Sequence, residues 1–455
     1  MLWKNPIYKF RMPGEEESSR LKEIVIDVTG SAPSFNGPSD NLKRILDEVL
    51  DNPNIDIRSV LEVGAAKLKN VPYILNKRKI VCAVEFRELG ENALTKKNLR
   101  KCKRHGSRFH EVLFPHPFID DEREFDLALL ANVIPVMPIW AERLYLLELL
   151  HRKAKYVLWI AQKEGTKYRT IRENGRNNCG DGIWMGKGKY TKTFYKHHSI
   201  EDLDEMMALY GFKRIKKFSG SDDAALYERV PHVLFKGLVT PEKILQHIPI
   251  DADIQSPTSP RRLRSVSASA RNRPVVPNPQ EFSIENLYIE KIRGIPTGLS
   301  HAEEYQRVVS HALARIFRGD LRNMEIKPPM DGGRQIPDAV FTNSAEKGFF
   351  KDLMQKVECS HPMVEAKNTS NDPNSDEINQ LNGRFNHMHG HFGILACRNV
   401  EDVEAVLERC KGKLPENYIL VLTDDDIIEL LELSREGNKS EIHDFMDRKL
   451  RKLIF

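Results

Sequence analysis

No stretch of the 455-residue chain approaches the ~18 to 20 consecutive apolar residues that a bilayer span needs. The first twenty residues also lack an apolar segment followed by a cleavage site. The expectation is a cytoplasmic protein with no membrane partner. Cysteine is scarce: Cys82, Cys102, Cys179, Cys359, Cys397 and Cys410 lie far apart without a CxxC spacing. That spacing supports neither a disulfide framework nor a structural zinc site. A strong excess of one charge is missing too, since 70 Lys and Arg face 65 Asp and Glu for a formal charge of +5. So small a balance permits a nucleic-acid partner without arguing for one. There is no internal repeat.

The length exceeds one ordinary core and suggests two or three domains of roughly 100 to 200 residues. One boundary shows in composition. From Asp251 to Gln280 the chain is rich in Pro, Ser and Arg and offers almost no apolar face, the pattern of a flexible linker. Its arginines (Arg261, Arg262, Arg264, Arg271, Arg273) have no acidic neighbour after Asp253. They could touch phosphate, although a solvated tether explains them as well. The expected division is 1–235, a linker at 236–280, and 281–455.

Before the linker, short apolar runs alternate with helical periodicity: Ile24 to Val28, Leu42 to Leu50, Ser59 to Val63, Ile80 to Glu85, Phe125 to Leu130, Ala141 to His151 and Tyr156 to Ala161. This reads as βαβ units and a mostly parallel sheet. After the linker the pattern predicts a second α/β core: a helix over Ser300 to Phe317, strands near Asp338 and Glu365, and a helix from Glu377 to Arg384. A strand over Phe392 to Cys397, a helix over Glu401 to Cys410, a strand over Tyr418 to Leu422 and a helix over Asp425 to Leu433 follow.

In the first half, Ser59-Val-Leu-Glu-Val-Gly-Ala-Ala-Lys-Leu-Lys-Asn70 is a strand followed by small residues, the arrangement that lets a backbone turn tightly against a cofactor. It resembles the first strand and loop of class I S-adenosylmethionine methyltransferases. Glu62 and Gly64 fit that loop, whereas Ala66 stands where a second glycine is expected, and its β-carbon penalises a positive φ. Glu85 ends the next strand, where such folds bond ribose hydroxyls. The layout from Leu61 to Tyr227, with Phe125 to Pro135, Gly182-Ile-Trp184 to Tyr195 and Tyr210-Gly-Phe212, is similar to methyltransferase-like proteins associated with DNA phosphorothioation. The resemblance implies a Rossmann-like methyltransferase-type domain, with Glu62, Gly64 and Glu85 toward S-adenosylmethionine. Asn132-Val-Ile-Pro135 does not reproduce the N/D-P-P-Y/F tetrad of DNA amino-methyltransferases, so a scaffold kept for sensing or assembly stands beside methyl transfer.

In the second half, Asp331-Gly-Gly-Arg-Gln-Ile-Pro-Asp-Ala-Val-Phe341 precedes Pro-Met-Val-Glu-Ala-Lys-Asn368. Residues two apart in a strand share a face, so Glu365 and Lys367 point one way while Val364 and Ala366 turn to the core. With Asp338 they suit metal-assisted phosphodiester hydrolysis: Asp338 and Glu365 hold Mg²⁺, and Lys367 orients water or neutralises charge. These residues resemble the PD-(D/E)xK nucleases, and more closely their Mrr-like restriction endonuclease branch, from about Gly298 to Leu433. The resemblance adds Glu304, on the first helix, and Gln380, on the helix after the E-x-K strand. It also covers Ile419-Leu-Val-Leu-Thr-Asp-Asp-Asp426.

Three further signals carry less. His387-Met-His-Gly-His391 has no cysteine or acidic partner at ligand spacing, so its histidines read as cleft or strand-cap residues rather than a zinc site. Asp424, Asp425 and Asp426 read as a helix cap rather than metal ligands. The glycine-rich stretch from Asn174 to Lys189, with Lys192, Lys196, His197 and His198, does not follow a strand and open a helix. It reads as a basic loop over a cleft or a plain surface loop.

The favoured expectation is an α/β protein: a Rossmann-like methyltransferase-type domain joined by a flexible linker to a separate restriction-endonuclease-like domain. The second would be an Mg²⁺-dependent DNA endonuclease. Its family resemblance implies restriction or antiviral defence, DNA as partner, a homodimer that cuts two strands, and partner subunits of a defence system. An alternative makes S-adenosylmethionine-dependent methylation of nucleic acid the activity and the second half a DNA grip. A third treats both halves as scaffolds, against which the intact Asp338, Glu365 and Lys367 set argues for the second half.

Overall fold

The structure, a computed structural model, describes residues 7–12, 22–28, 37–86, 93–114, 116–174, 177–179, 181–186, 192–230, 234, 283–328 and 336–455. The chain divides into two compact units, Met1–Pro279 and Gln280–Phe455. The expected linker, 236–280, lies outside the described residues.

The first unit is built on seven strands: β1 (Ser59–Val63), β2 (Ile80–Phe86), β3 (Phe109–Phe114), β4 (Phe125–Ala131), β5 (Ala154–Gln162), β6 (Phe212–Phe218) and β7 (Asp222–Arg229). Their order is β3-β2-β1-β4-β5-β7-β6. The first five run parallel, and β7 inserts antiparallel between β5 and β6. Burial on both faces explains the largely apolar runs of β1, β4 and β5, whose interiors are broken only by Glu62, Asp126 and Lys155. The direction of strand order reverses between β1 and β4, the switch point at which Rossmann-like sheets open a crevice beyond their carboxyl ends.

Helix α1 (Asp40–Leu50) covers this sheet with Leu42, Ile45, Leu46, Val49 and Leu50, one apolar stripe at helical spacing, and Ser39 caps it by accepting from the Leu42 amide. Helix α2 (Trp140–Lys153) buries its polar side as well. Arg143 there is fully buried and grips Asp181 through two hydrogen bonds of 2.6 and 2.9 Å.

The run from Ile24 to Val28 is a strand, but not of the main sheet. It belongs to Lys22–Asp27, which pairs with Ile7–Met12 in a hairpin, while Val25 and Asp27 bond the backbone of Lys192. The glycine-rich region forms a small antiparallel sheet from Asn178–Cys179, Gly182–Met185 and Thr193–Tyr195, with Gly175, Gly180 and 187–191 outside the described residues. His198 is not part of a basic surface: it is buried, and desolvation together with nearby Arg143 pushes its pKa down to about 3.

The second unit carries β8 (Leu321–Ile326), β9 (Ala339–Asn343), β10 (Met363–Lys367), β11 (Phe392–Cys397) and β12 (Tyr418–Thr423) in that spatial order. The first three are antiparallel; β10, β11 and β12 are parallel. Helices α3 (Ile284–Gly294) and α4 (Ala302–Ile316) precede the sheet. Helices α5 (Phe349–Val357), α6 (Ser375–Asn382) and α7 (Val403–Lys411) connect its strands, and α8 (Asp424–Glu436) and α9 (Lys439–Ile454) close the chain. Capping boxes start α6 (Asn374 with Glu377) and α8 (Thr423 with Asp426), so Asp426 is indeed a cap. Among the described residues no helix is long and apolar enough to cross a membrane.

Candidate functional site

The pairs Ala339 with Val364 and Val340 with Met363 fix the antiparallel register of β9 on β10. One further step sets Asp338 opposite Glu365, and directly opposed residues project from the same face. Lys367, two residues on, shares that face. Asp338 and Glu365 are buried, at 6% and 3% exposure, and Lys367 is partly covered.

The polar contacts draw these side chains together. Asp338 Oδ2 accepts the Ala366 amide at 2.8 Å. The Lys367 ammonium donates to Glu365 Oε1 and Gln380 Oε1, each at 3.1 Å. Arg384 donates to the other oxygen of Glu365. Four of the five catalytic residues expected from the sequence are thus joined through Glu365, Lys367, Gln380 and the β9–β10 register. Val364 and Ala366 do face the core, but Glu365 is buried as well, because Arg384 lies over it.

Arg384 escaped the sequence reading. It stands four residues after Gln380, so the turn that follows α6 brings it to the same side, a spacing that was available as a signal. Glu304 is placed differently. At the start of α4 its carboxylate pairs with Lys291 and lies 3.8 Å from His301, and the Lys291 hydrogen bond holds it below the usual carboxylate range. Its neighbour Tyr305 donates to Asp424 Oδ1 at 2.8 Å, and Asp424 also meets Arg398 at 3.2 Å. Asp424 is therefore a partly buried anchor rather than a surface cap, with its pKa pushed up to about 6 by burial.

The carboxylate pair is electrostatically uneven. Burial, and then the charge of Glu365, raises Asp338 to about 6. Two close oxygen-donor carboxylates, one of them destabilised as an anion by the other, fit a hard divalent cation.

In the first unit the expected cofactor residues meet at the carboxyl end of β1 and β2. Glu62 is buried, accepts from Asn70 Nδ2 at 2.7 Å through Oε1, and has no partner for Oε2 among the described residues. Burial raises its pKa to about 7. Gly64 has φ 64°, and a β-carbon there would sit 2.7 Å from Val133 Cγ2. Glycine is needed for the close approach of loop and β4 as much as for any ligand. Ala66 does adopt a positive φ of 51°, and its amide donates to the Glu85 carboxylate. Glu85 thus holds the loop itself. The unpartnered Glu62 oxygen fits an amine donor such as that of S-adenosylmethionine, and a ribose would compete with Ala66 for Glu85.

No protein-family model and no curated protein matches the chain. Among solved structures it is similar to a 1,6-didemethyltoxoflavin-N1-methyltransferase of Burkholderia thailandensis with bound S-adenosylhomocysteine. The identity is 17% over 41% of this chain and 76% of that one, with a TM-score of 0.31. It is also similar to an S-adenosylmethionine-dependent methyltransferase of Clostridium acetobutylicum (11%, 42% and 93%, TM-score 0.33). The third is the magnesium protoporphyrin IX methyltransferase of Synechocystis with bound S-adenosylhomocysteine (11%, 43% and 90%, TM-score 0.32). The Rossmann-like assignment of the first unit rests on its own strand order.

Proposed function

We propose that the chain is an Mg²⁺-dependent endonuclease that hydrolyses phosphodiester bonds of DNA, with the second unit carrying the chemistry. The observation that carries this reading is the register that opposes Asp338 to Glu365 and sets Lys367 beside them. Asp338 and Glu365 would hold the ion, which supplies polarisation of a phosphoryl oxygen and an acidified water. Lys367 orients the attacking water and offsets negative charge as it builds on the phosphate. A new P–O bond forms from water as one ester P–O bond breaks, leaving a phosphate monoester and a hydroxyl. Gln380 fixes the Lys367 ammonium, and Arg384 holds Glu365 in its rotamer. Glu304 would join only by leaving Lys291. Restriction or defence, assembly as a homodimer, partner subunits and a sensing role for the first unit belong to the same proposal.

A second reading is favoured by the buried, unpartnered Glu62 oxygen: the first unit binds S-adenosylmethionine, through Glu62 and the Gly64 loop, and methylates nucleic acid while the second unit grips it. The test incubates the full chain with plasmid and phage DNA, in Mg²⁺ or EDTA, with or without radiolabelled S-adenosylmethionine. Strand cleavage that needs Mg²⁺ supports the first reading; methyl incorporation without cleavage selects the second.

A further inference from the structure

We infer that Glu358, His387 and His391 form a zinc site, separate from the Asp338–Glu365 pair. One donor atom from each lies within 4.8 Å of the others. The acidic partner that the histidine run lacks locally comes from 29 residues earlier in the chain, at the end of α5.

The backbone explains the convergence. Asn386 closes a turn: its side chain accepts the Met388 and His389 amides at 2.9 and 3.1 Å, and its carbonyl accepts from Gly390 at 2.8 Å. The turn folds the His387 ring back to 5.8 Å from the His391 ring. Glu358 ends α5 in the left-handed region, φ 51°. Gly390 seats the turn directly on it, since a β-carbon at 390 would lie 2.3 Å from the Glu358 carbonyl oxygen. The His391 amide also bonds the Val357 carbonyl at 3.3 Å.

A second interaction selects the coordinating nitrogen. Asn417 Nδ2 donates to Asn382 Oδ1 at 2.9 Å, which leaves Asn417 Oδ1 facing His391 Nδ1 at 2.9 Å as an acceptor. His391 must then carry its proton on Nδ1 and its lone pair on Nε2, the oriented tautomer that metal-bound histidines show. Glu358 and His387 are exposed and His391 is half-buried. Their side chains can therefore close from 4.8 Å to the roughly 3.4 Å separation of two ligands on a tetrahedral ion.

Two imidazoles and one carboxylate, with a position open to water, are the donor set of a Zn²⁺ site; Mg²⁺ prefers oxygen alone. The site lies at the amino end of β11, which begins at Phe392, whereas Lys367 pairs with Cys397 at the other end of that strand. An ion there would tie the end of α5 to the turn that follows Arg384.

The test titrates ZnCl₂ by calorimetry into the EDTA-stripped full chain carrying Asp338→Asn, which removes the other carboxylate pair from the measurement. One equivalent should bind, unaffected by millimolar Mg²⁺, and Co²⁺ should give visible absorption. Removing a ligand with His387→Ala should weaken binding at least about 100-fold, and removing the orienting group with Asn417→Leu about tenfold. Because His387 is exposed, its variant should melt as the parent does without zinc. No Zn²⁺ uptake at micromolar concentration, or the same affinity in His387→Ala and Glu358→Gln, overturns the site whatever the outcome of the DNA assays.

Discussion

Asp338 and Glu365 face each other across β9 and β10, yet their surroundings differ: Glu365 receives both Lys367 and Arg384, while Asp338 receives the Ala366 amide. One carboxylate is neutralised within the protein and the other is kept costly. An ion held by the pair, as proposed, would offset the charge that burial makes costly on Asp338.

That imbalance sets a pH dependence. The folded pKa of Asp338 is raised to about 6, above an unfolded value near 3.9. Its contribution to stability is therefore present below the unfolded value and lost as pH rises through about 6. In EDTA, Asp338→Asn should melt higher than wild type at pH 8, by on the order of 1 to 3 kcal/mol, and the advantage should vanish toward pH 4. Thermal denaturation across that range checks it. Mg²⁺ binding to the wild type should strengthen over the same rise in pH.

Arg384→Met should destabilise the metal-free protein by on the order of 3 kcal/mol, because Glu365 stays buried with Lys367 as its remaining cation. Mg²⁺ should restore part of that loss. Urea titrations with and without Mg²⁺ measure both effects; an equal loss in either condition would place Arg384 outside the ion's reach.

The β1 loop offers two opposite substitutions. Gly64→Ala adds a β-carbon against Val133 at a positive φ and should cost about 1 to 3 kcal/mol. Ala66→Gly relieves a positive φ that an L side chain resists, and should stabilise by about 0.5 to 1 kcal/mol. Chemical denaturation of the two variants should show this opposite pair of signs.

Glu62→Gln addresses the second reading. With the Glu62 pKa raised to about 7 by burial, its stabilising contribution is lost as pH passes upward through that value. The variant should gain on wild type above pH 7 without ligand and lose any heat of binding for S-adenosylmethionine. Binding that survives the substitution would remove Glu62 from the cofactor site.

Strands buried on both faces were legible because β11 is an unbroken apolar run and the interiors of β1 and β4 are broken only by Glu62 and Asp126, and Glu365 and Lys367 because a period of two places them on one face. What escaped depends on contacts distant in sequence. Arg384 meets Glu365 only once the turn after α6 folds back over β10. Glu358 meets His387 only because Gly390 lets two backbones touch. The segment from Ile24 to Val28 has a strand's composition, but nothing in its alternation says that its edge will be taken by Lys192 rather than by the main sheet. Asp424 looks like a cap beside Asp426 until Tyr305, 119 residues away, claims it.

The most direct measurement compares plasmid cleavage rates of wild type, Asp338→Ala and Lys367→Ala in Mg²⁺, with DNA binding and melting recorded for each. Wild type should cut, and both variants should fold and bind DNA but lose at least about 100-fold in rate. Cutting by Asp338→Ala at the wild-type rate would contradict the account.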